Sequence, residues 1–534
     1  MDRRSYDYVI VGAGSAGCTL ANRLTANGKY SVLLLEAGPK DSSPWIHIPL
    51  GYGKTFANPK YNWCLYTEAD PGMDGRSLYL PRGKTLGGSS SINGLIYLRG
   101  QSQDYDLWEE LGNSGWGWRD VLPYFKRSES NVRGASDYHG ADGGLGVSDV
   151  NHRHVLAEAF IDGCAQTGIR RNDDFNGAEQ EGAGFLQFTS VRGRRSSTAV
   201  AFLKPARKRS NLRVETEATV RRMLFEGNRV SGVAYDQGGA EHQVQAGREL
   251  VICAGAVHSP QQLQLAGIGD AEVLRDHGIP VVTHLPSVGR NMQDHMQARV
   301  VHRSIKPVTM NDEMNSGFRQ FKMAMKYALA RRGPLSMSIC YAGAFVRTNP
   351  EVATPDVQFY FFPLSSDMPG APLHEFSGLT TAAAQLRPES RGDVMIKSAD
   401  PREAPAIRTN FLSTETDRRI VVEALKIVRK VAASPAMRSC IDSEYMPGKD
   451  LQSDDELLSF ARTTGSTLFH VSGTCKMGSD RDAVVDDRLR VHGVSRLRVV
   501  DCSIMPTLVS ASTNATAIMI GEKAADMILE DASA

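Results

Sequence analysis

A chain of 534 residues is longer than one hydrophobic core usually organises, so two domains or more are expected. Lys plus Arg number 61 against 60 for Asp plus Glu, a balance that provides no field for drawing in nucleic acid. The basic clusters at 192–195 and 207–209 then read as solvated faces, and no apolar run is long enough to cross a bilayer. The eight cysteines lie scattered without paired spacing, as reduced core residues of a cytoplasmic protein do. No Cys-x-x-Cys pair or His-Glu-x-x-His helix offers a metal site, and residues 1–7 run into the first strand without a leader pattern.

The first stretch, Val9-Ile10-Val11-Gly12-Ala13-Gly14-Ser15-Ala16-Gly17, is an apolar strand entering a turn with glycines at its first, third and sixth places. A helix over 18–25 follows, and a second apolar strand, Tyr30-Ser31-Val32-Leu33-Leu34-Leu35, ends in Glu36 and Ala37. This is the pattern of a dinucleotide-binding βαβ unit. Gly12 permits the tight turn, Gly14 the approach of a pyrophosphate, and Gly17 close packing of the helix, whose N-terminus favours the phosphates. Glu36, nineteen residues past Gly17, is placed to accept hydrogen bonds from a ribose. Its charge opposes a 2′-phosphate, which sets NADP aside and leaves FAD and NAD open.

Next comes an aromatic and Pro-rich segment over 44–63, too irregular for one element and expected to be a covering loop. In Pro81-Arg82-Gly83-Lys84-Thr85-Leu86-Gly87-Gly88-Ser89-Ser90-Ser91-Ile92-Asn93-Gly94, small residues let the backbone hug a polar ligand, and successive donors can form an anion-binding concavity. The region 106–127 reads as helix broken at 112–117, and 158–197, rich in Asn, Asp and Gly, as loops leading into a second domain. Short strands return at 212–215, 218–225, 230–235 and 249–255, the last a buried parallel strand, and a helix over 261–266 follows. From 304 to 463 strands and helices alternate, with a strand over 355–363 and an amphipathic helix over 419–433.

Several of these segments resemble the glucose-methanol-choline oxidoreductase family. The stretch from Gly83 to Asn93 matches its first signature, and Gly255-Ala256-Val257-His258-Ser259-Pro260-Gln261-Gln262-Leu263-Gln264-Leu265-Ala266-Gly267-Ile268-Gly269 resembles its second. Ala266 and Gln262 are mild departures, where serine and an aliphatic residue are usual. Arg498-Val499-Val500-Asp501-Cys502-Ser503-Ile504-Met505-Pro506 and the last helix extend the match over almost the whole chain.

The resemblance implies an α/β fold: a Rossmann-like FAD domain over 1–157, 198–303 and 464–534, and a substrate domain over 158–197 and 304–463, built on an antiparallel sheet flanked by helices. It assigns FAD contacts to Gly12, Gly14, Ser15, Ala16, Gly17, Glu36 and Ala37, and to Arg82, Gly83, Leu86, Gly87, Ser90, Asn93 and Gly94. Val220, Ala254, Asp501, Cys502, Asn514 and Thr516 complete that set. Some relatives bond the flavin through a histidine just before the asparagine equivalent to Asn93. Ile92 stands there and cannot form that bond, so FAD is expected to be held non-covalently.

Removing hydride from an alcohol carbon to flavin N5 also requires a base for the hydroxyl proton, which the protein must supply. Leu468-Phe469-His470-Val471-Ser472-Gly473-Thr474 matches the family's catalytic histidine segment, and an imidazole is largely neutral at pH 7. Forty-four residues on, Asn514 matches the second catalytic position, where its amide can donate to the substrate oxygen. Asn514 also opens the last helix, with Ile518, Ala525 and Ile528 on one face, and that N-terminus would favour negative charge on a reduced flavin. Phe359, Phe361 and Phe469 are substrate-pocket candidates with His470 and Asn514, although Phe359, Tyr360 and Phe361 read first as core residues of which one can line the pocket. His258, His284 and His295 read as structural.

Within the family, Leu80 to Ser89 and Asp174-Phe175-Asn176-Gly177 look most like bacterial flavin alcohol dehydrogenases, among them those for aliphatic alcohols, polyethylene glycol, choline and L-sorbose. A quaternary ammonium needs an aromatic cage and usually an acid, and no sequence logic assigns the acid. The expectation is therefore oxidation of a primary aliphatic or polyether alcohol to the aldehyde, with electrons passed to a quinone or other acceptor. An O2-using oxidase of aryl or furanic alcohols is the runner-up, and a lyase or photochemical flavoprotein stands outside that class. The expected location is cytoplasmic, with peripheral attachment to the inner face of a membrane left open.

Overall fold

The computed structural model describes residues 5–533; residues 1–4, where no leader pattern is expected, lie outside them. The elements that position the site begin with β1 (Ser5–Val11), α1 (Ser15–Leu24), β2 (Val32–Glu36), α2 (Val155–Gln166), β3 (Gly182–Phe185), β4 (Leu212–Thr216), β5 (Thr219–Glu226), β6 (Arg229–Gln237), β7 (Ala240–Ile252) and α3 (Gly255–Leu265). They continue with β8 (Met296–Ser304), α4 (Gly317–Ala330), β9 (Ala342–Val346), β10 (Val357–Phe362), β11 (Gly378–Gln385), α5 (Glu415–Ala432), β12 (Ile441–Met446), β13 (Ser466–Thr467), β14 (Leu497–Val499) and α6 (Asn514–Asp531).

The first sheet has the order β4-β2-β1-β7-β6-β5, with β14 also pairing β7. Its parallel centre is buried on both faces, which is why Val9 to Val11 and Val32 to Leu35 are uniformly apolar. β7 does two jobs: its first half pairs antiparallel with β6, and its apolar end Leu250-Val251-Ile252 runs parallel to β1 and β14. At the end of β1 the chain turns at Gly12, where φ is +102° and a Cβ would stand 2.5 Å from Cys253 O. A side chain at Gly17 would sit 2.0 Å from Gly12 O, so α1 could not close on the turn. The last helix, α6, packs along α1 and buries Ile518, Ala525 and Ile528, as their spacing predicts.

The second sheet is antiparallel throughout, in the order β12-β8-β11-β10-β9-β3 with β13 on β8. Helix α5 lays Ile420, Val421, Ala424, Leu425 and Val428 on β11 and β8, while α2 covers β9 and β10. The sequence reading of 158–197 as loops misses α2, although Leu156, Phe160, Ile161 and Cys164 carry a helical spacing and are all buried.

Strand parity corrects one expectation. The Phe361 ring stacks on Phe160 of α2 with centroids 4.8 Å apart, and Phe359 is fully buried in the same core. Neighbouring residues of a strand face opposite ways, so Tyr360 and Phe362, not Phe359 and Phe361, present themselves to the cavity on the other face.

Candidate active site

A cavity of about 780 Å³ runs between the two sheets, from the Gly12 turn to β8 and β10. At the Gly12 end, Glu36 is buried, and its carboxylate accepts from Ala13 N and Gly38 N, both at 2.9 Å. Burial pushes its pKa up to about 7 against the pull of those two donors. Gly88 lies so close beneath the wall that a Cβ there would stand 2.7 Å from Gly14 Cα, so this bare backbone can receive a phosphate directly. Farther along, Asp501 accepts from Gly255 N at 2.9 Å, Ser259 Oγ at 2.5 Å and Ser503 N at 2.8 Å, which fixes the first turn of α3. Arg82 donates through Nη2 to Phe469 O, and its Nε is buried without a partner. An acid for ribose hydroxyls, open backbone for phosphates and an orphaned buried donor together fit FAD.

Gly12, Gly14, Ser15, Ala16, Glu36, Ala37, Arg82, Gly83, Asn93, Gly94, Val220, Ala254, Asp501, Cys502 and Asn514 line the cavity wall. Gly17, Leu86, Gly87, Ser90 and Thr516 do not. Gly17 lies under the turn, Leu86 is core, Gly87 N donates to Ala13 O at 2.8 Å, and Ser90 Oγ bonds Gly87 O and Thr198 Oγ1. Thr516 Oγ1 bonds the Tyr105 hydroxyl at 2.9 Å. These five shape the wall from behind. The segment expected to be a cover does line the cavity, through Leu50, Tyr52, Phe56 and Trp63.

His470 and Asn514 both line the cavity wall, brought there by two unrelated local structures. Phe469 takes a left-handed backbone, φ +67°, with its carbonyl held by Arg82. A non-glycine residue so held costs about 1–3 kcal/mol, which the surrounding bonds must offset. His470 N then donates to Asp294 Oδ1 at 2.7 Å, and burial raises that carboxyl to about 6. Asn514 opens α6, whose N-terminus faces the cavity through Ser512, Thr513, Asn514 and Ala517. The Ser15 hydroxyl donates to Asn514 Oδ1 at 2.7 Å, leaving the Nδ2 amide protons for another acceptor.

The His470 ring has a partner that sequence reasoning left as structural. His295 Nδ1 lies 2.9 Å from His470 Nδ1, and His295 Nε2 lies 3.0 Å from Leu386 O. A carbonyl only accepts, so His295 carries its proton on Nε2, and burial holds the ring neutral by pushing its pKa down to about 4. Its Nδ1 must then accept from His470 Nδ1–H. The His470 Nε2 lone pair is left free, and burial, with His295 and Arg82 adding to it, keeps this ring neutral well below the usual imidazole range. His258 also lines the cavity, its ring 4.6 Å from that of Trp63, whereas His284 is a surface residue accepting from Ala271 N. The sequence signal for His295, an Asp-His pair ahead of a strand, becomes informative only once β8 and the 468–474 segment are known to adjoin.

The chain is similar throughout to proteins of one family. The GMC oxidoreductase N-terminal and C-terminal patterns match residues 6–297 and 388–521. Human mitochondrial choline dehydrogenase is 42% identical over 98% of this chain and 90% of its own length, and the Pseudomonas putida alcohol dehydrogenase [acceptor] is 42% identical over 98% and 96%. A mutated Aspergillus oryzae formate oxidase, solved for the effect on FAD modification, superposes with a TM-score of 0.94 at 27% identity, covering 100% of this chain and 99% of that one. The chain belongs to the GMC oxidoreductase family, and its cofactor is FAD.

Proposed function

We propose that the chain oxidises a primary aliphatic or polyether alcohol to the aldehyde, with His470 as the base and FAD held without a covalent link. Bound FAD supplies the two-electron acceptor for the hydride that leaves the carbinol carbon. The hydroxyl proton goes to His470 Nε2, and Asn514 Nδ2 donates to the oxygen as it gains negative charge. Tyr360, Phe362 and Phe56 keep water from the reacting carbon. The observation that carries this reading is the hydrogen-bonded run from Leu386 O through His295 to His470, which leaves a base with one free nitrogen in the cavity.

Anaerobic addition of alcohols, cholines and sugars to the holoenzyme should bleach the flavin with the primary alcohols. A flavin that none of them bleaches removes the reading. Ile92 on the cavity wall supports non-covalent FAD, and acid precipitation should leave the yellow colour in the supernatant. Colour in the pellet contradicts it.

For the electrons we propose a quinone or another carrier, a reading supported by the likeness to the Pseudomonas putida enzyme named for an acceptor. Failure of a dye to replace O2 in anaerobic turnover would favour the oxidase alternative. We place the chain in the cytoplasm, supported by eight free cysteines, and divide it at 157/158, 197/198, 303/304 and 463/464, supported by the two sheets.

Peripheral membrane attachment has its own support in α4. Phe318, Phe321, Met325 and Leu329 form one exposed stripe, with Phe318 78% and Leu329 80% accessible, and Arg319, Lys322, Lys326, Arg331 and Arg332 stand beside it. Such a helix suits an anionic lipid surface, and no helix among the described residues is long and apolar enough to span one. Sedimentation with phosphatidylglycerol vesicles, lost in Phe318→Ser/Leu329→Ser, is the expected result. Equal sedimentation of both proteins contradicts it.

A further inference from the structure

Arg299 stands out among the large buried side chains of the molecule. Arg99 is paired with Glu129 at 2.5 Å, Arg498 with Glu249 at 2.6 Å, and Arg195 donates to Ile46 O and Asn93 Oδ1. The Arg299 guanidinium, by contrast, makes no hydrogen bond or ion pair with any described residue, and its Nη1 is buried without a partner. A buried cation without a counterion is costly, and nothing in the packing of β8 demands one.

The side chain has a definite direction. Gln297 and Arg299 share one face of β8 and line the cavity, whereas Met296, Ala298 and Val300 on the other face belong to the core. Across the sheet, Arg299 is in register with Ala382 of β11, and Ala382 with Tyr360 of β10, so a small residue leaves room beside the guanidinium.

No carboxylate on the cavity wall can answer this charge. The acids that line it are Glu36, Glu403 and Asp501. Glu36 and Asp501 hold backbone donors at the cofactor end, and Glu403 is tied to Ser398 and, through its carbonyl, to Gln261 of α3. Asp367 is the acid whose field reaches Arg299, but its carboxylate meets His374 Nε2 at 3.0 Å and projects into solvent. Burial lowers the Arg299 pKa only to about 10, so the group stays charged at neutral pH.

We propose that Arg299 is the subsite for a carboxylate carried on the substrate, so that the alcohol oxidised is the hydroxyl end of a hydroxy acid. This rests on the alcohol-oxidising reading above. The guanidinium fork matches two carboxylate oxygens, and the cavity removes both partners from water, where such a pair is strongest. Met310, Ile339, Phe362 and Leu364, which pack together and line the same cavity, suit a hydrocarbon or ether spacer between acid and alcohol. The carboxylate takes no part in the chemistry: the carbinol carbon still gives up its hydride to FAD, and the hydroxyl gives its proton to His470. A quaternary ammonium alcohol would meet a like charge here.

The test uses the holoenzyme with a dye acceptor, a homologous series of ω-hydroxy acids and the matching 1-alkanols. At the best chain length, the acid should exceed the alkanol in kcat/KM by about a hundredfold, the scale of a charge-assisted contact. Arg299→Met should erase that ratio, and Arg299→Lys should keep part of it. Adipate, which carries no alcohol, should perturb the flavin spectrum of the wild type and not of Arg299→Met. Alkanols oxidised as well as the acids, or a preference that survives Arg299→Met, would overturn the proposal. If no compound of either series bleaches the flavin, the alcohol-oxidising reading falls, while Arg299-dependent adipate binding would still support an anion subsite.

Discussion

His295 and His470 are joined by one hydrogen bond, Nδ1 to Nδ1 at 2.9 Å, and its direction is fixed from the far side, where Leu386 O accepts from His295 Nε2. The base is thus oriented by a second imidazole rather than by a carboxylate. His295→Phe removes the acceptor for His470 Nδ1–H and frees the wrong tautomer. We expect kcat to fall by about 10²-fold, the lower end of general-base contributions, with the alcohol KM nearly unchanged. A fall in KM and kcat together, with weakened FAD binding, would mean His295 only packs.

Asn514 is set up as a donor by Ser15, whose hydroxyl occupies Asn514 Oδ1. Asn514→Ala should cost about 10²-fold in kcat, as loss of one donor to a developing oxyanion does. Ser15→Ala should cost less, because the amide keeps its place at the start of α6 but can rotate. Equal losses in the two variants would argue that Ser15 acts on the cofactor instead.

Much of this was legible in the sequence because the relevant signals are local. The βαβ unit shows itself in six consecutive positions and one acid, and helix α6 in the spacing of Ile518, Ala525 and Ile528. What was not legible depends on which segments adjoin. His295 becomes a partner of His470 only because β13 pairs with β8, through Met296↔Thr467 and Gln297↔Ser466. Which residues of the 359–362 run face the cavity was not legible because an aromatic run gives no parity, and a shift of one residue reverses every side chain. Tyr360 and Phe362 line it, while Phe359 and Phe361 lie in the core. Arg299 was unremarked because an arginine in a sequence does not show whether it is paired.

Glu36 ties cofactor affinity to pH. Without FAD its carboxyl is raised to about 7 by burial; ribose hydroxyls donating to it would stabilise the charged form and release a proton on binding. FAD affinity of the apoprotein should therefore rise between pH 6 and 8 and then level off. Glu36→Gln should bind more weakly with no such slope. Titration of apoprotein with FAD at several pH values checks this, and a flat wild-type profile counts against the contact.

His139 gives the fold an alkaline limit. Burial alone would depress it, but hydrogen bonds to Asp174 at 2.9 Å and Glu129 at 3.1 Å raise its pKa from 6.5 to about 9. Its contribution is complete below pH 6.5 and is lost as pH rises to about 9, at most about 3 kcal/mol for this nearly buried ring. Denaturant melts across that window should show the decline in the wild type and a much smaller one in His139→Gln.

The central claim is that His470 is the base for alcohol oxidation at bound FAD. Its most direct test is the rate of anaerobic flavin reduction by a saturating alcohol, in the wild type and in His470→Ala, across pH. The wild-type rate should rise with pH through an apparent pKa below 6.5 and stay flat beyond it, since burial keeps the ring neutral. His470→Ala should retain FAD, reduce it about 10²–10⁴-fold more slowly and lose that acid limb. A variant that reduces its flavin at near wild-type rate, with the acid limb intact, would remove His470 from the chemistry.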